Sequence, residues 1–542
     1  MNRGADVVAR TLVRAGVKRV FTLSGNHVMS IFDAAPAAGL DLVHVRHEAA
    51  AVHMADAWAR FTGEVGVALA TGGPGHANAV PALYTALASE SPVVLLSGHS
   101  PLDETGRGAF QEMRQVDRAA PLAKASWAVK SASERAHDVA RAMRIAASGR
   151  PGPVHLSLPS DALDATVADP ALPDAGAFAA SPTALAPAAA EAVLGELARA
   201  ARPAILVAPT LLRGPGRDAA SRLATATRVA LAGMDSPRGL AEPALGALAE
   251  VLPQADLILL LGKPLDFTLK FGRPPVIAPG CRFVQVDPDP AMLERTLREV
   301  GTRLAFGAVA DAGAAAAALA ELAAKRAWPK SAWSDEVAEA IAYRPSAWAT
   351  VSSAREDRVH PVEVCRAVQR VLDRHDEAVL ISDGGEFGQW AQACLTARRR
   401  TTNGPAGAIG AAVPFAVAAK LAFPAAPVVA MSGDGSFGFH MGEYDTAVRR
   451  GAPFIAVVGN DARWNAEQQI QIKAYGPERA VGCELLPTRY DLVAAALGGH
   501  GEHVTRASDL AGALDRAVAS QRPACVNVAI EGLAAPDLSR RR

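Results

Sequence analysis

Short apolar runs separated by amphipathic stretches recur along the chain, and each run stops at a small or polar residue. In the first third, "RVFTLSG", "VGVALAT", "PVVLLSG" and "PVHLSLP" have the length and β-branched character of buried strands. Helical stretches such as "EAAAVHMADAWARFTG" lie between them. Alternation of this kind predicts a doubly wound parallel sheet. From Ala171 to Pro182 the chain is rich in Ala, Pro, Asp and Gly and reads as a linker. Beyond it, "AILVAP", "LILLLG" and "RFVQVDPD" predict a second sheet, ended by the alanine-rich "DAGAAAAALAELAAKRAW", which is expected as a surface helix. A second boundary falls between Trp328 and Arg358. After it "AVLISDGG", "VVAMSGDG", "FIAVVGN" and "ACVNVAI" repeat the first unit's pattern. The expected fold class is therefore α/β, with three doubly wound parallel-sheet domains over residues 1–170, 183–328 and 358–535, the outer two most alike.

Composition narrows the partners. Lys plus Arg (55) equals Asp plus Glu (55), so neither nucleic acid nor an anionic membrane is expected as a partner. Five scattered cysteines (Cys281, Cys365, Cys394, Cys483, Cys525) form no CxxC pair, as suits a reducing compartment. The N-terminal residues "MNRGADVVARTLVRAGVKRVF" carry charges throughout and do not read as a signal peptide. No apolar run reaches the length of a membrane span. A soluble cytoplasmic protein is expected.

The chemistry concentrates at two strand ends. "VVAMS" runs into Gly433-Asp434-Gly435, with a helix expected from about Phe439, and "FIAVVG" runs into Asn460-Asp461. In a parallel sheet, ligands sit beyond the carboxyl ends of the strands, where helix N-termini offer N–H groups to anions. A carboxylate beside such an anion site needs a cation between them, and Mg²⁺ is commonly shared between one or two carboxylates and phosphate oxygens. A lone GDG occurs in many surface turns. Its pairing with a second acidic strand end 27 positions on (461 − 434) is far more specific.

These residues resemble the cofactor motif of the thiamine diphosphate enzymes of the acetolactate synthase, pyruvate decarboxylase and 2-hydroxyacyl-CoA lyase superfamily, which runs from GDG to a pair of asparagines. Val417-Ala418 and Pro424 before the strand stand in the family's order. The resemblance implies thiamine diphosphate and Mg²⁺ as cofactors. It places Gly433, Asp434, Gly435, Ser436, Asn460 and Asp461 around the diphosphate, and Asp434, Asp461 and the Arg463 main-chain carbonyl on the metal. Asp461 departs from the family, which has asparagine there. "SDGGEFGQWA" is similar to the family's D-x-G with a following tryptophan, here Asp383, Gly385 and Trp390. "NGPAGAIGAAVP" resembles the loop, with Gly407, whose large apolar residue, here Ile409, props the cofactor into its bent shape.

In the first unit the resemblance falls on Glu48, in "LVHVRHEAAAV", and on Gly73-Pro74-Gly75 with Asn78 behind it. Read alone, Glu48 is a helix-start acid. In the family the matching glutamate bonds the aminopyrimidine N1′ and promotes the imino tautomer that takes the thiazolium proton, and the GPG turn packs near the pyrimidine. Those residues and the diphosphate site come from different subunits there, so a homodimer with shared active sites, paired into a tetramer, is implied.

Three features bear on the substrate. Asn26-His27 stands where acetolactate synthases usually carry two small residues. A similarly placed histidine in the benzaldehyde lyase branch shuttles a hydroxyl proton, although a lone histidine is more often structural. Gln111, in "GAFQEM", matches a family glutamine that bonds substrate oxygen. The stretch Leu259 to Pro275 lacks the family's flavin-associated pattern, so FAD is not expected, and it resembles instead the form in 2-hydroxyacyl-CoA lyases. Its Lys263, Lys270 and Arg273 could meet coenzyme A phosphates or form a solvated basic face. Glu467, six residues after Asp461, is a candidate proton donor, and Glu484 a weaker lid candidate. Ser539 to Arg542 read as a disordered tail. The expected activity is C–C bond cleavage or carboligation, with a small-molecule 2-hydroxyacyl-CoA thioester as substrate. Acetolactate synthase-type 2-keto acid chemistry is the alternative, and a non-catalytic thiamine-binding regulatory subunit is a third.

Overall fold

The computed structural model describes residues 2–131, 134–168 and 171–540. Three wholly parallel sheets carry the chain, built on the apolar runs just named and completed by six strands the apolar pattern did not mark: Asp41–His44, Ala125–Ala128, Leu231–Gly233, Leu304–Val309, Arg399–Thr402 and His500–Val504. The first orders its strands Asp41–His44, Arg19–Thr22, Gly66–Ala70, Val93–His99, Val154–Pro159 and Ala125–Ala128. The third orders Arg399–Thr402, Val379–Asp383, Val428–Gly433, Ile455–Asn460, Ala524–Ala529 and His500–Val504. Numbered within each unit, both read 2-1-3-4-6-5, so the outer two share a topology. The middle sheet has five strands, Leu231–Gly233, Pro203–Val207, Leu257–Leu261, Arg282–Asp287 and Leu304–Val309, in the order 2-1-3-4-5. In all three the strand order reverses between the first and third strands. In sheets of this kind that switch point is where ligands enter.

The first and third units meet within the chain through helix Glu48–Thr62, which packs on helix Ala412–Ala422. Alanines at 50, 51, 55, 416 and 419 keep the two backbones close within one continuous apolar core. Arg60 crosses this contact. Its guanidinium pairs with Asp56 (Nη2–Oδ2 2.5 Å), donates to the Thr402 carbonyl (2.7 Å) and lies 4.8 Å over the Phe415 ring. Both charged side chains are almost wholly buried, so each keeps the other from costing several kcal/mol.

Four local expectations need correction. The alanine-rich helix Ala312–Ala323 is not merely surface, because Ala315, Ala316, Leu319, Ala320 and Ala323 are buried beneath the middle sheet. The core on that sheet's other face takes in Trp333, Val337 and Ala340, residues beyond 328. The helix after Gly433-Asp434-Gly435 begins at Asp434 itself, as the single turn Asp434–Phe437, and a second helix, Glu443–Arg449, follows a bend at residues 438–442. Finally, the C-terminal residues are tied down. Ser539 donates to Glu250 of the middle unit, and Arg540 lies 3.6 Å from both Glu250 and Glu336. Arg541 and Arg542 lie outside the described residues. No helix among the described residues is long and apolar enough to cross a membrane.

Candidate functional site

Strand pairing in the third unit sets the two acids side by side. Gly433 and Gly459 are register partners on adjacent parallel strands, so Asp434 and Asp461 leave the sheet at the same edge. Both line one cavity with Gly385, Gly433, Gly435, Ser436, Ile409 and Glu467. Asp434 is 2% exposed, and its Oδ2 has no hydrogen-bond donor among the described residues. Burial and the neighbouring Asp461 charge push its carboxyl up to about 7, against the backbone N–H groups of Gly435 and Arg463. Burial likewise raises Asp461 to about 6, with the Arg463 guanidinium opposing. The Arg463 side chain itself is exposed and donates to Gln468 (3.1 Å).

Glycines shape this edge. A Cβ on Gly435 would stand 2.5 Å from the Trp464 ring, and one on Gly384 (φ +55°) 1.7 Å from the Ser436 hydroxyl. At Gly385 and Gly433, by contrast, nothing stands closer than 3.8 Å, so backbone faces open space there. Asp383 is a brace. Its Oδ2 accepts from the N–H groups of Gly410 (3.0 Å) and Ala412 (2.9 Å), fixing the loop that carries Ile409, and burial raises its carboxyl to about 6. Asn460 is also committed inward, donating to the Thr488 carbonyl and the Asn527 side chain while its Oδ1 accepts from Ala462 N–H. Gly407 (φ +70°) turns toward Pro237 of the middle unit, 3.6 Å from where a Cβ would stand, and is not among the residues lining the cavity. Trp390 packs near Trp348 and His360 instead of in the cavity.

A second cluster forms at the sheet edge of the first unit. Glu48 starts helix Glu48–Thr62 and is 8% exposed, and its Oε2 accepts from Asn78 Nδ2 (3.1 Å). The turn Gly73-Pro74-Gly75 opens helix Pro74–Ala88, with Gly73 at φ +57° as its cap. A Cβ on Gly75 would stand 3.3 Å from Glu48 Oε1, and one on Gly73 2.7 Å from Gln111. Gln111 itself has φ +58°. His27 is buried, with Nδ1 3.2 Å from Thr71 Oγ1 and its ring stacked 5.9 Å from Phe110. Burial holds its imidazole below the usual range, hence neutral near pH 7.

Residues 2–118 match the thiamine pyrophosphate enzyme N-terminal TPP binding domain, and residues 383–528 the C-terminal TPP binding domain. A probable acetolactate synthase of Mycobacterium bovis is 34% identical over 96% of this chain and 94% of its own. The 2-hydroxyacyl-CoA lyase 2 of Bos taurus is 31% identical over 93% of this chain and 86% of its own, and that of Homo sapiens 30% over 94% and 86%. The chain belongs to the thiamine pyrophosphate enzymes. It is a thiamine diphosphate-dependent enzyme of three α/β units.

For such an enzyme the third-unit cavity has suitable chemistry for a cofactor diphosphate and a cation: an orphaned buried carboxylate oxygen, a second carboxylate, and two glycines open to approach. No group of three or more His, Cys, Asp or Glu suited to a metal occurs among the described residues. Glu467 lies in the first turn of helix Asn465–Tyr475, exposed but on the cavity, and Glu484 pairs with Arg463 through a backbone bridge beside it. Lys263 fits neither expectation for it. It is buried, with Nζ 3.1 Å from both Asp266 carboxylate oxygens, so it is neither a solvated cation nor a free phosphate ligand. Arg273 is paired with Glu299 (2.9 Å).

Sequence reasoning missed several residues at both clusters. Gln115 accepts from Gly73 N–H (2.9 Å) while its amide donates to the Gly98 carbonyl and Ser157, clamping the GPG turn. Thr71 holds His27. Glu386 lines the cavity and accepts from Arg238 (2.8 Å) and Ala535 N–H (3.0 Å). Its place just past the end of the motif's strand was the available signal.

Proposed function

We propose that this thiamine diphosphate enzyme is a Mg²⁺-dependent C–C bond lyase and carboligase acting on 2-hydroxy carbonyl substrates, with a 2-hydroxyacyl-CoA cleaved reversibly to formyl-CoA and an aldehyde or ketone. The observation that carries it is His27: a buried, neutral imidazole fixed by Thr71 beside the GPG turn and Gln111. A neutral imidazole held there can take the proton of a substrate hydroxyl as the adjacent C–C bond breaks and return it in the reverse direction. Thiamine diphosphate, when bound, supplies a nucleophilic carbon and an electron sink. Asp434, Asp461 and the Arg463 carbonyl would hold Mg²⁺, and Gly385 and Gly433 would leave room for the diphosphate. Glu48, kept in place by Asn78, would hold a proton against the cofactor's pyrimidine, and Gln111 would bond a substrate oxygen. FAD is left out of the proposed cofactors because the stretch from Leu259 to Pro275 lacks the expected pattern.

The described residues lining the Asp434 cavity all come from the third unit, whereas Glu48 and His27 belong to the first. The proposal therefore includes a second copy of the chain, each copy completing the other's site, with tetramers built from such dimers. A second reading, 2-keto acid decarboxylation and carboligation, is favoured by the 34% identity to a probable acetolactate synthase and by the committed state of Lys263. The deciding experiment incubates the reconstituted protein with pyruvate, a 2-hydroxyacyl-CoA and a benzoin-type 2-hydroxy ketone, and reads products by mass spectrometry. Formyl-CoA with a carbonyl product supports the lyase. Acetolactate and CO₂ from pyruvate alone would replace it with the second reading.

A further inference from the structure

We propose that the chain loads a divalent cation on Asp434 and Asp461 before any diphosphate is present, so that the metalled, cofactor-free protein is a distinct state. This rests on the assignment above of these two carboxylates as cation ligands. Asp434 and Asp461 leave adjacent strands at one edge and line one cavity, and Asp434 Oδ2 is buried with no donor. Among the described residues neither carboxylate forms an ion pair, and the nearby Arg463 side chain is turned to Gln468. Two like charges at one edge repel, and a cation between them removes the repulsion while both stay ionised.

The order of loading follows from the charges. A diphosphate approaching these two carboxylates, of which only Asp461 has a cationic side chain (Arg463) nearby, adds negative charge to a net negative edge. A divalent ion approaching the same pair meets two carboxylate ligands and an electrostatic well, and carboxylate number is a main lever on the affinity of such sites. An amide at position 461 would leave one carboxylate, and the cation would then depend on diphosphate oxygens arriving with it.

The test uses the full-length protein stripped of cofactor and metal, titrated with Mn²⁺ alone, with free Mn²⁺ followed by electron paramagnetic resonance. The expected result is one Mn²⁺ per chain without thiamine diphosphate, displaced by Mg²⁺. In Asp461→Asn, binding of Mn²⁺ alone should weaken by at least about tenfold, and thiamine diphosphate should restore much of it. Wild-type protein that takes up Mn²⁺ only together with thiamine diphosphate overturns the order of loading. So does an Asp461→Asn variant that binds Mn²⁺ alone as tightly as wild type. A third arm, Asp434→Asn, separates the two levels. If it still binds Mn²⁺ fully with thiamine diphosphate present, the ligand assignment itself fails; if it does not, while the wild type needs diphosphate, only the order is wrong. Circular dichroism of each near-isosteric variant checks that it has folded.

Discussion

Removing a carboxylate from the proposed metal site should stabilise the cofactor-free protein. The Asp434 carboxyl is raised from an ordinary 3.8 to about 7. Every tenfold change in proton affinity is worth about 1.4 kcal/mol, so ionising this side chain in the empty fold costs up to about 4 kcal/mol above pH 7. Part of that cost is shared with Asp461, which makes the figure a ceiling. The sign follows from the direction in which the carboxyl has moved. The folded state holds the proton more tightly than the unfolded chain, so the group's stabilising contribution is complete below about pH 4 and is lost as pH rises through about 7. At pH 5 the native carboxyl is still protonated and the cost is only about 1.6 kcal/mol; by pH 8 it is complete. Asp434→Asn carries no such charge, so its stability relative to wild type should rise by about 2–3 kcal/mol between pH 5 and pH 8. The assay is urea unfolding of the metal- and cofactor-free proteins, followed by tryptophan fluorescence at several pH values. Comparing the two profiles cancels other titrating groups, including the buried histidines whose lowered pKa values act in the opposite direction. Parallel pH profiles for wild type and variant would refute the reasoning, whatever their offset.

The remaining predictions concern the first unit and its contact with the third. Glu48→Gln should leave the fold and thiamine diphosphate binding intact while turnover falls by about a hundredfold or more, as for a lost proton-transfer group, which calorimetry and steady-state kinetics would separate. His27→Ala should slow cleavage of a 2-hydroxy carbonyl substrate more than it weakens cofactor binding, and full activity would remove the histidine from the mechanism. Asp56→Ala strands the buried Arg60 guanidinium between helix Glu48–Thr62 and Phe415 and should cost about 3–5 kcal/mol in chemical denaturation. A Gly384→Ala variant should lose thiamine diphosphate affinity in calorimetry, because its methyl group cannot share space with the Ser436 hydroxyl and the φ of +55° is strained for alanine.

The three parallel sheets were legible because their central strands are short apolar runs, whereas polar edge strands such as Arg399–Thr402 and His500–Val504 gave no such signal. The strand-end acids were legible for the same reason. Asp434 and Asp461 each follow their strand directly and Asp383 ends its own, so locating the strand locates the carboxylate. What lay out of reach were contacts set by the folded backbone or by parts of the chain far apart in sequence. Lys263 looks like a solvated cation until the fold buries it and sets Asp266, three residues on, against its ammonium. Gln115 clamps Gly73 from 42 positions away. The C-terminal residues read as loose because Glu250, which holds Ser539 and Arg540, lies 289 and 290 positions back.

The same distinction explains the helix after the GDG turn. Apolar periodicity resumes at Phe439 and points to a start there, yet the first turn begins at Asp434, directly at the strand end. Periodicity reports which face a helix buries, and a single four-residue turn buries too little to be seen that way. Helix starts that exist to present N–H groups are set by backbone geometry at the strand end, and the residues that betray them are the glycines on either side. Here those glycines divide the labour: Gly384 and Gly435 are needed for close packing against Ser436 and Trp464, while Gly385 and Gly433 face open space. A side chain at the first pair would disturb the walls of the cavity, and one at the second pair would fill the space that the proposed diphosphate site leaves open.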